Sequence, residues 1–251
     1  MAALAYAYES SFADRVSDLL SSLDCRLVDV DADRETIYRL RYEAYMREDG
    51  IEPNSAETFC DDFDESENAW IFGLYWRDEL ASSIRIHVAT QEQPDFPSRK
   101  VFADLMEPEL AAGKVIVDPT RFVTDKRLSG LFSGLPHVTL RLCWLAAEHF
   151  EAEHFLVAVR REHQAFYRRT FHHRVICPPR PYPLLKTPIS LMTTDQAAVA
   201  ERVYGRYPFF RSTYFERRML FDRHGTMAQL AARHAEEVAL VSDEASYAGA
   251  S

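Results

Sequence analysis

Cysteine is scarce. Four residues, Cys25, Cys60, Cys143 and Cys177, are scattered through 251 positions without a CxxC pair. That excludes a disulfide frame and a zinc knuckle, and leaves isolated thiols of the kind a reducing cytoplasm maintains. Basic charge is also in deficit: 29 Lys and Arg stand against 39 Asp and Glu, a formal net charge of -10. A general nucleic-acid binder needs the opposite balance to neutralise phosphates, so that class is excluded. No apolar run is long enough to span a membrane. The apolar start, Met1 to Tyr8, is short, has no basic leader and runs into Glu9, Asp14 and Arg15, so no signal peptide is expected. Internal repeats and low-complexity tracts are absent. What is present is 47% hydrophobic residues, ample for one core domain of a soluble cytoplasmic protein.

Periodicity divides the chain. Phe12, Val16, Leu19, Leu20 and Leu23 have helical spacing and predict a leading helix within an N-terminal extension, residues 1–25. A core domain follows over 26–195. Within it Arg26–Val30 alternates like a strand, and Asp33–Tyr45 returns to helical period with Asp31 or Asp33 as cap. Residues 48–67 carry nine acids and no Lys or Arg, and are expected to form a loop. Trp70–Trp76 and Leu80–Val88 predict a hairpin turning at Arg77-Asp78-Glu79. A proline-containing loop then leads to the central stretch Val115–Val117. His137–Phe150 is apolar on most sides and predicts a buried helix. Phe155–Val159 predicts an interior strand, Glu162–Thr170 a helix, and Val175-Ile176 and Thr187–Met192 the last strands. Residues 196–251 read as a helical C-terminal extension with a frayed tail from Ser242.

The stretch Gly113–Thr124, followed by Arg127-Leu-Ser-Gly130, reads as a strand ending at a turn that opens a helix. The first N–H groups of a helix lack intrahelical partners and carry the positive end of its dipole, so they can cradle a phosphate or a developing oxyanion. Two metal readings fail on spacing. Asp62-x-Asp64-x-Ser66-x-Asn68 resembles the start of a calcium loop, but its sixth and twelfth positions are Glu67 and Gly73 where Gly and Glu are needed. His149, His154, His163, His172 and His173 do not place two ligands on one helical face with a third nearby. No metal is expected.

Four motifs in order, Arg41-x-x-x-Tyr45, Asp61-Asp-Phe-Asp64, Ser83-Ile-Arg85-Ile and Asp118-Pro-Thr-Arg121-Phe-Val, resemble the signature of the acyl-homoserine-lactone synthases. They are closer still to the related long-chain N-acyl amino acid synthases, and the similarity spans roughly residues 30–195. The resemblance implies an α/β (α+β) fold of GNAT type, a mixed, mostly antiparallel twisted sheet flanked by helices. It also implies transfer of a fatty acyl group from acyl carrier protein to the amine of an amino acid, with acyl-ACP or acyl-CoA as co-substrate and no tightly bound cofactor. Two departures argue against homoserine-lactone chemistry in particular. Ile51 stands about where the lactone synthases have Trp, and Asp118 where they have Glu.

Roles follow from the same resemblance. Arg41, Asp61, Asp64, Arg85 and Arg121 would form an ion network beside the acceptor, where a carboxylate needs a cation and an ammonium needs an anion. Phe122 and Val123 would offer backbone N–H groups to the oxyanion, with Arg127 and Gly130 as the donor cradle. Asp118, directly or through water, is the candidate base. A carboxylate of ordinary pKa ~4 accepts poorly from an ammonium of pKa ~8, so a relay or a raised pKa is required. Tyr167, in Phe166-Tyr167-Arg-Arg-Thr-Phe171, is the candidate acid for the departing thiolate. Residues 160–180 carry a net +5 and 202–223 a net +4, patches suited to an acidic carrier protein. Within enzymes the alternatives are a lactone synthase and an acetyl-CoA acetyltransferase. The single Gly of Arg127-Leu-Ser-Gly130-Leu-Phe132 disfavours the latter. From another class, a non-catalytic carrier-binding module remains.

Overall fold

A computed structural model describes residues 10–28 and 31–222. Two compact units divide at Ser212/Thr213, Met1–Ser212 and Thr213–Ser251. The second contributes one described helix, Tyr214–Phe221, capped by the Thr213 hydroxyl on the Glu216 amide. The expected frayed tail lies outside the described residues.

Among the described residues of the first unit seven strands form one sheet: β1 (Asp24–Leu27), β2 (Ala69–Trp76), β3 (Glu79–Ala89), β4 (Ile116–Thr124), β5 (His154–Val159), β6 (Arg174–Arg180) and β7 (Ile189–Thr194). Their order is β1-β2-β3-β4-β5-β7-β6. Only β4 and β5 run parallel; every other neighbour is antiparallel. Seven described α-helices accompany them: α1 (Phe12–Ser22), α2 (Asp31–Arg47), α3 (Arg99–Ala111), α4 (Lys126–Leu131), α5 (Leu135–His149), α6 (Gln164–Phe171) and α7 (Gln196–Arg206). The mixed, mostly antiparallel GNAT-type architecture expected from the motifs is the architecture found.

Local chemistry explains the elements. Ser11 and Asp14 form a capping box that starts α1. The β2–β3 hairpin turns on Arg77 and Asp78, both with positive φ, as a two-residue primed turn requires; Glu79 already belongs to β3. On the α3 side of the sheet Phe102, Met106 and Leu110, spaced by four, pack with Ala89, Ile116, Leu156 and Leu191. On the α5 side the Thr139 hydroxyl donates to that of Ser82 at 2.8 Å, and Trp144 stacks on Phe171. α1 and the turn at Pro208–Phe210 pack on α5, where Phe12 meets His137, Tyr207 and Phe209 edge to face.

Two expectations are corrected. The stretch between Pro94 and the central strand is not simply loop, because it contains α3. Pro94 and Pro97 mark only the loop before that helix, and Pro108 lies inside it; the helix kinks at Phe102 (φ -120°). The strand at Val175-Ile176 is longer, Arg174–Arg180, because its pairing with β7 continues through irregular register past two prolines on the sheet edge.

Candidate active site

The site begins with a defect in the sheet. Thr120 pairs with Arg85 and Val123 with Ser83, so Arg121 and Phe122 together oppose Ile84. This is a β-bulge, and Arg121 takes the left-handed conformation, φ 55°, uncommon for a residue other than Gly. On the other side of β4, pairing with β5 covers only Ile116 and Val117. The strands then part. Arg121 and Phe122 thereby have no one-to-one register partner on either neighbour, and the regular ladder is interrupted there.

A cavity of about 420 Å³ fills the opening. Its walls are Thr120–Thr124 of β4, Val157–Val159 of β5, Leu140 of α5, and Phe166 and Tyr167 of α6. Tyr45, Glu48 and Gly50 close one side with Leu185 and Thr187. Ile84, Leu140 and Val157 are almost fully buried and still face the cavity, which gives it an apolar interior.

The predicted ion network is real and is set under the cavity wall. Arg41 of α2 donates to Asp64 at 2.7 Å, Arg85 of β3 pairs with Asp61 at 2.6 Å and Asp64 at 2.8 Å, and Arg121 pairs with Asp61. Asp61 caps the short turn Asp62–Glu65, and Asp64 accepts from the Asp61 amide at 3.0 Å, so the motif's spacing fixes both carboxylates. Burial opposes the charge on Asp61 and Asp64, but the neighbouring guanidinium groups prevail and hold both carboxyls below the ordinary range. Of the five network residues only Arg121 reaches the cavity wall. Its guanidinium lies 3.9 Å from the Phe59 ring centroid, a contact the motifs did not reveal although Phe59 stands two residues before Asp61.

Asp118 is fully buried, and both oxygens are taken by Ser98: the Ser98 amide donates at 2.9 Å and its hydroxyl at 2.7 Å. Burial raises its pKa to about 6 against the pull of those hydrogen bonds and of Arg85. It is not on the cavity wall. Thr120, two residues further on the same face of β4, is. Tyr167 lines the cavity; no described residue hydrogen-bonds its hydroxyl, and burial pushes its pKa up, which keeps it protonated.

Phe122 and Val123 also line the cavity, whereas Arg127 and Gly130 do not. The expected cradle there is occupied by the protein's own groups. α4 has six residues, the Asp125 carboxylate already accepts from the Leu128 amide at 2.8 Å, and the exposed Arg127 pairs with Glu79. The Asp125 carboxylate at that helix start already occupies the place an anion would take. Among the described residues no group of three or more His, Cys, Asp or Glu could hold a metal ion, and no helix is long and apolar enough to cross a membrane.

Comparison with solved structures places this architecture. The N-acyl amino acid synthase FeeM from uncultured soil microbes superposes with a TM-score of 0.59 at 16% identity, over 70% of this chain and 91% of that one. The acyl-homoserine-lactone synthase LasI gives 0.55 at 13%, over 73% and 95%. The CoA-dependent synthase MesI gives 0.51 at 17%, over 76% and 97%. No curated protein sequence matches. The model of the N-acyl amino acid synthase FeeM family matches residues 36–195, the span that carries the bulged strand, the ion network and the cavity walls. On that match the chain belongs to the FeeM family of N-acyl amino acid synthases and is an N-acyltransferase.

Proposed function

We propose that the enzyme moves a long-chain fatty acyl group from the thioester of acyl carrier protein to the amine of an amino acid, in the cytoplasm. The observation that carries this reading is the cavity itself. It has an apolar interior for a chain, the β-bulge at Arg121–Phe122 where a carbonyl would lie, and Arg121, tied to a buried ion network, among its lining residues. Structures that resemble it include synthases fed by CoA thioesters, so the donor is the point on which experiment decides.

In this reading the amine nitrogen attacks the thioester carbon, and the carbonyl oxygen gathers charge against the backbone N–H groups of the bulge near Phe122 and Val123. Arg121 holds the acceptor carboxylate; Arg41, Asp61, Asp64 and Arg85 hold Arg121 in place. The proton leaving the ammonium passes by water beside Thr120 to Asp118, whose raised pKa makes it a better acceptor than an ordinary carboxylate. As the carbon–sulfur bond breaks, the Tyr167 hydroxyl gives its proton to the thiolate. Arg127 and Gly130 take no part.

The test is thiol release from long-chain acyl carrier protein and, in parallel, long-chain acyl-CoA, each with a pool of amino acids, followed by mass analysis of lipid extracts. An N-acyl amino acid of matching mass, formed faster from the carrier-bound donor, is the expected result. Release from acetyl-CoA alone would replace this reading with an acetyltransferase.

A further inference from the structure

Among the described residues three arginines line the cavity, Arg47, Arg121 and Arg160, and they differ in what holds them. Arg121 pairs with Asp61. Arg160 pairs with Glu48, which also lines the cavity, and with Glu162 at 3.2 Å. Arg47, in the last turn of α2, has no carboxylate partner among the described residues. Its side chain is exposed and makes one long hydrogen bond there, from Nη2 to the Thr124 carbonyl at 3.4 Å. The negative end of the α2 dipole accounts for a cation in that turn, but it supplies no counter-ion for the guanidinium. Glu48, the neighbour that could neutralise Arg47, is held by Arg160.

The network behind Arg121 is short of a carboxylate as well. Arg41, Arg85 and Arg121 share Asp61 and Asp64, three guanidinium groups on two anions. Asp118, with both oxygens taken by Ser98, makes no ion pair with them. The Nε of Arg121 is buried and has no hydrogen-bond partner. The cavity thus offers an anion two places, one at Arg121 and one at Arg47. Arg47 meets β4 at Thr124, three residues beyond Arg121 and at most about 10 Å along an extended strand. Thr124 and Tyr45 both line the cavity, and the Arg121 guanidinium carbon lies 5.7 Å from the Tyr45 ring centroid. Both cations are within reach of one small molecule.

We propose that the acceptor is an amino acid with a second acidic group, of the aspartate or glutamate class, whose α-carboxylate is taken by Arg121 and whose side-chain carboxylate is taken by Arg47. The inference rests on the acyl-transfer reading and names the class of its acceptor. Once its ammonium has given up a proton, such an acceptor carries two negative charges, and the cavity has two guanidinium groups to meet them. A carboxylate on a guanidinium makes charge-assisted hydrogen bonds, often two in parallel. The carboxamide of glutamine brings no charge, and its amino group would oppose one donor with another.

The test uses the full chain and the variants Arg47→Ala, Arg47→Lys and Arg47→Glu, with Arg77→Glu on the hairpin turn as control. Binding of L-glutamate, L-aspartate, L-glutamine and L-lysine is read by calorimetry without a donor. Transfer to the same four amino acids in competition is read by mass analysis of the products, with long-chain acyl carrier protein and with long-chain acyl-CoA. The parent should bind glutamate or aspartate about tenfold or more tightly than glutamine, and prefer it by a similar factor in kcat/KM. Arg47→Ala should bring that ratio close to one, Arg47→Lys should keep most of it, and Arg47→Glu should turn the preference toward lysine. Arg77→Glu should leave the ratio as it is in the parent. A parent that binds and acylates glutamine as well as the acidic amino acids overturns the proposal, as does an acidic preference that survives in Arg47→Ala. A loss shared equally by all four acceptors in Arg47→Ala would assign Arg47 to the donor or to the fold, and overturns it too. Absence of transfer from every donor would count against the transfer reading alone, since the binding ratio still decides the acceptor class.

Discussion

Replacing Asp64 with alanine removes a carboxylate that is 1% exposed and shared by two arginines, Arg41 at 2.7 Å and Arg85 at 2.8 Å. Arg85 keeps Asp61 at 2.6 Å, but Arg41 is left without an anion at a site that is 0% exposed. Its Nε and second terminal nitrogen already have no protein partner, so nothing nearby takes up the charge. Breaking a buried pair from one side costs about 3–5 kcal/mol, a large share of the roughly 5–15 kcal/mol that holds a domain together. At roughly 2–4 °C per kcal/mol for a domain of this size, Tm should fall by about 6–20 °C. Urea denaturation at pH 7 and thermal melting provide the measurement. The deficit should also depend on pH in a defined direction. The Asp64 carboxyl is held below its ordinary pKa, so its contribution is complete above about pH 4 and is lost as pH falls through the folded-state value. Parent and variant curves should therefore converge in acid. A second variant, Arg41→Met/Asp64→Leu, removes both charges and should recover to within about 1–2 kcal/mol of the parent. A loss under about 1 kcal/mol for Asp64→Ala, or none recovered by the double variant, would refute the claim that Arg41 is a dry, singly compensated cation.

Tyr167→Phe should lower kcat by about 10²-fold or more while leaving Tm unchanged, because the hydroxyl is bonded to no described residue; equal activity would remove it as the acid. If Asp118 accepts the proton, kcat/KM should rise with pH through about 6, and Asp118→Asn should abolish that limb. Ser98→Ala withdraws a hydrogen bond that favours the charged carboxylate, so the limb should move to higher pH; an unmoved limb would report another group. Asp118 also bears on stability with the opposite sign to Asp64. Its folded pKa lies above the unfolded one, so its ionisation makes the folded state less stable as pH rises from about 4 to 6, and the Asn variant should lack that slope. Lys186→Ala should speed amide exchange of residues 182–187 while leaving global stability nearly unchanged. Lys186 ties this segment to Asp49 at 2.7 Å and, through its amide, to the Gly50 carbonyl at 3.0 Å, and Leu184 there has φ 71°. Unchanged exchange would show that the backbone bond alone holds the segment.

The ordered motifs carried the family and periodicity most of the strands, because each motif couples a charge pattern to a local element. Asp61 and Asp64, three apart, cap and close one turn of 3₁₀ helix, and Arg85 alternates along β3 to meet them. Pro94 and Pro97 make the stretch that holds α3 read as loop, although Phe102, Met106 and Leu110 are spaced by four and pack on the sheet. Nothing local could show that Asp118 faces Ser98 and not the cavity, since Ser98 lies twenty residues earlier and approaches only when α3 folds over β4. That the Arg127–Gly130 turn lies off the cavity was hidden for a similar reason: Arg127 pairs with Glu79 from the hairpin, and Asp125 caps the helix start. The total charge of each arginine-rich segment is a property of sequence. Which guanidinium groups stay unpaired depends on where carboxylates distant in the chain end up, and that is decided by packing.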